Sequence, residues 1–271
     1  MQLSSVQENK IRPPAVAGQF YPADTLQLQS LLDEMFQSAR TSHLGHVKAL
    51  IAPHAGLIYS GPVAASAYQT IANQADQIRR VVLLGPSHRV GFHGIANPTA
   101  NEFETPMGLV HIDQTAIQKI SALPQVMPLD QAHAAEHSLE VQLPFLQALL
   151  DEFLLVPLVV GDCPPKQVAE VLEMLWGGDE TLIVVSSDLS HYNPYEIARA
   201  QDEHTSQAIV QLQPEAIGYE DACGRNPVNG LLMAARQHGL QPHLVDLRNS
   251  GDTAGPRDRV VGYGAYAFTD D

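Results

Sequence analysis

The sequence predicts an α/β protein with a central, mainly parallel or mixed sheet flanked by helices, formed by residues 1–271 as a single domain. Three observations carry this expectation. Short apolar runs rich in β-branched residues recur along the chain, as strands buried on both faces do. Segments with apolar residues at helical spacing alternate with those runs, so helices cross the sheet from strand to strand. The runs also end in polar, Gly- and Pro-bearing exits, the edge at which α/β proteins bind ligands.

Strands are expected at Val47–Ala52, Val81–Leu84, Leu154–Val160, Leu182–Val185, Leu244–Leu247 and Val260–Phe268. Helical spacing runs through Thr25–Ser38, Gly61–Ala72, His137–Leu150, Pro165–Leu175, Pro194–Leu212 and Pro227–His238. Several of these begin at proline, whose missing N–H has no partner to lose in a first turn. No repeat, low-complexity tract or long linker divides the chain, and its 19 Gly and 19 Pro are scattered as turn punctuation.

The apolar fraction of 45% and charged fraction of 17% are those of a globular protein. No run approaches the roughly 20 apolar residues of a membrane span, so a membrane partner is not expected. The polar stretch Met1 to Pro14 lacks the basic start and apolar run of a secretory signal, which predicts a cytoplasmic location. With 30 acidic against 15 basic residues the net charge is −15, which repels a phosphate backbone, so nucleic acid is not an expected partner. Cys163 and Cys223 are the only cysteines, too few for a disulfide framework or a four-cysteine zinc site. Each reads as a small buried hydrophobe, with a single thiol ligand as the alternative.

The strand exits concentrate the chemistry. They read Pro53-His54-Ala55-Gly56, Pro86-Ser87-His88, Ser187-Asp188-Leu189-Ser190-His191 and Asn249-Ser250-Gly251-Asp252. Imidazole is the commonest ligand for first-row metals, and a catalytic ion needs about three protein ligands with open positions. Three histidines at the first, second and fourth strand exits, His54, His88 and His191, therefore point to a shared divalent ion, although each alone can be a hydrogen-bonded turn residue. Asp188 has two functional roles open, as ligand or as the group that orients a ligand histidine, and it can equally cap a helix. His191 reads as a further ligand or as the acid/base. Glu136, His137 and Glu140 enter the helix expected from His137, with 136 and 140 one turn apart on one face. They edge a pocket, or simply enrich a helix start in acid. Asp252 is a candidate third ligand or a turn residue. Phe20, Tyr21, Ser87 and Thr253 are candidate pocket residues. The remaining histidines, at 43, 46, 93, 111, 133, 204, 238 and 243, are expected to face solvent.

Taken in order, Ala15-Val16-Ala17-Gly18-Gln19-Phe20-Tyr21-Pro22, Ala52-Pro53-His54-Ala55-Gly56, Leu84-Gly85-Pro86-Ser87-His88, Glu136-His137-Ser138-Leu139-Glu140, Ser186-Ser187-Asp188-Leu189-Ser190-His191 and Val261-Gly262-Tyr263 resemble the Memo family from about Arg12 to Phe268. The resemblance implies the fold of the class III extradiol dioxygenases (LigB-like), non-haem iron(II) enzymes, with His54 and His88 as ligands and His191 as the catalytic histidine. In animal members a cysteine near the carboxyl terminus completes the metal site. The best match here falls at Thr253, beside Asp252, and neither Cys163 nor Cys223 takes that place by order. A thiolate favours copper and a carboxylate iron(II). The resemblance also implies AMMECR-domain and radical-SAM proteins as partners. The leading expectation is an iron(II)-dependent redox protein with His54, His88 and a carboxylate (Asp252 or Asp188) as ligands, acting on a small-molecule or peptide substrate. A zinc hydrolase and a non-enzymatic peptide-binding module are the alternatives.

Overall fold

The computed structural model describes residues 10–42 and 44–270. Twelve strands and eight α-helices follow one another as β1 (Ile11–Arg12), α1 (Thr25–Ser38), β2 (Val47–Ala52), α2 (Leu57–Gln69), β3 (Arg80–Pro86), β4 (Ile95–Asn97), β5 (Glu102–Thr105) and β6 (Gly108–His111). Next come α3 (Gln114–Ile120), β7 (Val126–Pro128), α4 (Asp130–Ala134), α5 (Leu143–Leu149), β8 (Leu154–Val160), α6 (Pro165–Leu175) and β9 (Thr181–Ser186). The chain finishes with β10 (His191–Asn193), α7 (Tyr195–Val210), α8 (Arg225–His238), β11 (Gln241–Asn249) and β12 (Val260–Thr269).

Nine strands form one mixed sheet in the order β10-β12-β2-β9-β3-β8-β4-β7, with β11 also paired to β12. The central four, β2, β9, β3 and β8, are mutually parallel. Their residues are buried throughout, apart from the first positions of β3 and β8, as both-face coverage requires. α2 carries the chain from β2 over β9 to β3, and α6 carries it back from β8 over β3 to β9. The usual right-handed sense of such crossovers puts these helices on opposite faces. Their neighbours agree, since α2 packs with α1 and α5, and α6 with α8 and α3. A small sheet, β1-β5-β6, ties the amino-terminal arm to the body.

The parallel register matters most for function. Ala52 pairs with Ser186, and Pro86 with Val160, so four chain exits leave the sheet at one edge. That edge is a crevice between connections running in opposite directions, where doubly wound sheets bind ligands.

Several expected boundaries shift. α2 starts at Leu57 rather than Gly61 and keeps Pro62 inside, because Leu57 N–H is tied externally to Phe20 O at 2.8 Å. The helix expected from His137 starts only at Leu143, with Pro144 in its first turn, after a 3-10 turn at Glu140–Gln142. Glu136 and Glu140 therefore do not share a helical face. β1, β4 to β7, β10, α3 and α4, absent from the expectation, are all two to seven residues long, too short to show a period. No helix among the described residues is long and apolar enough to cross a membrane.

Of the histidines expected to face solvent, His43 lies outside the described residues, and His133 is a correction. Its ring is 2% exposed and Nε2 donates to Ala96 O at 3.0 Å. Burial pulls its pKa down to about 4, so the folded state keeps the ring neutral. Its contribution is complete above pH 6.5 and is lost as the pH falls toward 4, because only the unfolded chain gains the proton there. Across that window it steepens the loss of stability by about 1.4 kcal/mol per pH unit. In urea denaturation between pH 7 and 4.5, His133→Gln is expected to lose stability less steeply than wild type; parallel slopes contradict this.

Candidate metal centre

The exit of β2 is locked to that of β9. Ser187 N–H donates to Ala52 O at 2.9 Å, and His54 N–H donates to the Asp188 carboxylate at 2.7 Å. Gln142 Nε2, positioned by Tyr68, donates to Pro53 O (2.9 Å) and to Ser186 Oγ (2.8 Å). Ser186 Oγ donates its one proton to Ser138 O at 2.6 Å. It must therefore accept from His54 Nδ1, 2.8 Å away, which leaves the lone pair of the buried imidazole on Nε2.

His88 is fixed by the same logic. The Glu136 carboxylate accepts from His88 N (2.6 Å), His137 N (2.9 Å) and Ser138 N (2.9 Å), and it lies 2.8 Å from His88 Nδ1. Burial alone pushes Glu136 up, but these donors outweigh it and bring its pKa down to about 2. An ionised carboxylate accepts only, so His88 Nδ1 carries the proton and Nε2 is left as a ligand atom. A carboxylate behind a histidine is the usual support of a metal-binding imidazole.

Three rings meet at this edge. Centroids of His54 and His88 are 5.2 Å apart, of His54 and His137 5.4 Å, and of His88 and His137 4.5 Å. Phe20 packs on His137 at 4.7 Å and walls the cluster. Burial, then the neighbouring His88 and His137, hold His54 well below the ordinary histidine range, and burial with His88 lowers His137 to about 4. Uncharged imidazoles are the form that binds a cation.

The candidate for a third donor differs from the expected Asp252 or Asp188. Cys223, set aside by its order in the chain, lies with Sγ 3.4 Å from His54 Nε2, and the ligand atoms of His54, His88 and Cys223 all fall within 4.8 Å of one another. The segment before α8 returns over the β9 exit: Cys223 N–H donates to Asp188 O (3.3 Å) and Gly224 N–H to Ser187 Oγ (2.9 Å). A Cβ at Gly224 would stand 2.6 Å from that of Ser187, so this approach requires glycine. Asp188 N–H donates to Sγ at 3.3 Å, a contact suited to sulfur carrying negative charge. Burial and the Asp188 carboxylate push the free thiol up. A second group within the same limit, His88, Glu136 and His137, has its carboxylate already filled by donors.

The other expected residues are distributed as follows. Asp188 sits beneath the cluster and holds the His54 backbone, the orienting role rather than that of a helix cap. His191, on β10, is half-buried outside both ligand groups, yet near enough for its charge to act on His54 and Asp188. The residue after it, Tyr192, has φ 61°, a strained conformation at the site's margin. Glu140 is turned away. It pairs with the buried Arg12 and accepts from Ala15 N, Val16 N and Tyr21 OH, so Tyr21 anchors the arm instead of lining the site. Asp252 lies outside both ligand groups: it closes a capping box on Asn249 N and accepts from Tyr195 OH at 2.6 Å, which is the turn reading. Thr253 donates to Ser250 O in the same turn, and Ser87 donates to Val90 O.

Two imidazoles, His54 buried and His88 exposed, with their second nitrogens free and a thiol at their meeting point, fit a first-row transition ion, with softer character than two imidazoles and a carboxylate.

Comparison with known proteins identifies the family. Residues 12–267 match the family described as Memo-like protein. A MEMO1 family protein of Aquifex aeolicus is 38% identical over 270 residues, covering 96% of this chain and 99% of the relative. One of Ignicoccus hospitalis is 36% identical over 287 residues, covering 95% and 98%. Among solved structures, an uncharacterized protein from Escherichia coli K12 shares 12% identity at a TM-score of 0.50, over 80% of this chain and 99% of that one, a likeness of fold alone. Since the match runs from the amino-terminal arm past His54, His88 and Cys223 into the last strand, the chain belongs to the Memo family.

Proposed function

We propose that this chain is a metal-dependent redox protein whose ion is held by His54 Nε2, His88 Nε2 and Cys223 Sγ. The observation that carries the reading is the convergence of these three donors within 4.8 Å, with the opposite nitrogens of both rings already committed to Ser186 and Glu136. The thiol shifts the preferred ion from iron(II) toward copper, since sulfur selects softer metals. When bound, such an ion supplies one-electron exchange and a Lewis-acidic centre for a substrate oxygen or nitrogen.

The chain's own residues do the rest. Ser186 and Glu136 keep the ligand tautomers fixed before any ion arrives, so little reorganisation is required. Asp188 restrains His54 through its backbone. His191 lies at the rim, where an imidazole carries protons between a bound substrate and solvent. Phe20 and His137 exclude water from one side.

Anaerobic loading followed by metal analysis tests the reading. One copper per chain is expected, held more tightly than iron(II), with occupancy lost in His54→Ala and in His88→Ala. Substoichiometric metal in the wild-type protein, or full occupancy in both variants, overturns it. Spectral change on cycling copper-loaded protein between ascorbate and dioxygen is the expected redox signature; catalysis only with zinc favours a hydrolase instead.

A further inference from the structure

A cavity of about 460 Å³ lies between the exits of β3 and β8 and the start of α8. It reaches Cys223 and Ser87 but is not lined by His54 or His88. The Cys223 side chain is therefore shared: its sulfur stands 3.4 Å from His54 Nε2, and the residue also forms part of the cavity wall. The volume lies in the range of small-molecule pockets, roughly 300–1,000 Å³.

The chemistry of the walls restricts what fits. Pro86, Val90, Phe92, Val160, Tyr219 and Pro227 supply apolar surface. The polar side chains that line the cavity already have partners within the protein. Ser87 Oγ donates to Val90 O; Asn226 Nδ2 donates to Gly161 O at 3.1 Å while its Oδ1 accepts from Arg225. His93 and Asp162 pair with each other at 3.1 Å, and at 90% and 65% side-chain exposure they stand in solvent rather than inside. A charged ligand would lose hydration here, and among the lining residues the ionisable His93 and Asp162 are already paired with each other, so no lining charge is left to replace it, an unfavourable exchange. A neutral, apolar group loses nothing comparable and gains contact area. Tyr219, with the Arg225 guanidinium 3.5 Å over one face of its ring, is the aromatic ring nearest α8 among the lining residues.

We infer that this cavity is the substrate subsite of the metal centre, and that it takes the neutral aromatic or branched hydrocarbon part of a small substrate, with the reacting atom directed past Cys223. The inference rests on the redox reading above for the purpose of the site, but binding to the cavity does not require metal. Gly91 provides the means of separating the two. It lines the cavity, and a Cβ added there meets nothing within 4 Å, so a large side chain is accommodated at the cavity wall without displacing the backbone.

The test uses the full chain, with and without copper, and three probes: indole, isobutanol and, as a charged counterpart, benzoate. Saturation-transfer NMR is expected to show indole and isobutanol binding at millimolar concentration, with benzoate at least tenfold weaker. Intermolecular contacts are expected to Phe92 and Val90. Gly91→Trp is expected to weaken indole at least tenfold while copper content stays at the wild-type value. In copper-loaded protein, paramagnetic broadening of the indole resonances is expected, and it should vanish in the variant. Benzoate binding as well as indole, neither neutral probe binding, or contacts that map away from Phe92 and Val90 overturns the inference, the last independently of whether the variant folds. Indole bound in the cavity of a chain that takes no copper refutes the metal reading and leaves the subsite standing.

Discussion

Cys223→Ala is expected to weaken copper binding by about 300- to 8,000-fold, the share of one donor in three if a structural ion is held with roughly 10–16 kcal/mol. The change removes a half-buried thiol that packs against His54 and Asp188 but leaves both ligand tautomers fixed by Ser186 and Glu136. The remaining two imidazoles still bind, though with lost preference for the softer ion. Chelator competition on wild type, Cys223→Ala and Cys223→Ser measures both effects. An unchanged copper affinity in both variants removes the thiol from the site. A fall in copper and zinc affinity together, with a smaller change for iron(II), is the pattern expected of a sulfur ligand.

Glu140→Ala is expected to lower the free energy of unfolding by about 3–5 kcal/mol, the usual result of removing one member of a buried ion pair. Arg12, 6% exposed, donates to His133 O and Glu136 O as well as to Glu140. Without Glu140 its charge stays buried and only carbonyls remain to it. The backbone N–H groups of Ala15 and Val16 and the Tyr21 hydroxyl lose their acceptor at the same time. Urea denaturation of wild type and variant measures the difference. A loss below about 1 kcal/mol refutes the ion-pair account. Metal affinity offers a second readout: since Phe20 belongs to this arm and covers His137, loosening the arm should raise solvent access to the ring cluster.

Much of the fold was legible because buried parallel strands leave a clear imprint. Leu154–Val160 is a continuous apolar run and Val47–Ala52 is one apart from Lys48, and their bounds in the structure are those expected. His54 and His88 were legible for a related reason: each follows a strand directly, and the sheet edge determines where such residues go. Cys223 was not. It lies on an irregular segment with no period, and its position depends on Gly224 fitting against Ser187, a contact across 37 positions that no local pattern records. Asp252 misled for the opposite reason. A carboxylate in Asn-Ser-Gly-Asp looks the same whether it binds an ion or closes a turn, and only the acceptor geometry at Asn249 and Tyr195 separates the two. Glu140 misled through the helix period: with α5 starting at Leu143, the four-residue spacing to Glu136 carried no shared direction.

The sequence distance between donors bears on how the protein matures. His54 and Cys223 are 169 positions apart, and β2, which presents His54, is flanked in the sheet by β9 and by the last strand of the chain. Contacts of such long range form late, after the loops between them have closed. A growing polypeptide thus reaches the point of ion capture only once its carboxyl-terminal third has emerged and docked. On the proposed metal reading, metallation would follow synthesis instead of guiding it, since a chain arrested before Cys223 lacks the sulfur that stands beside His54.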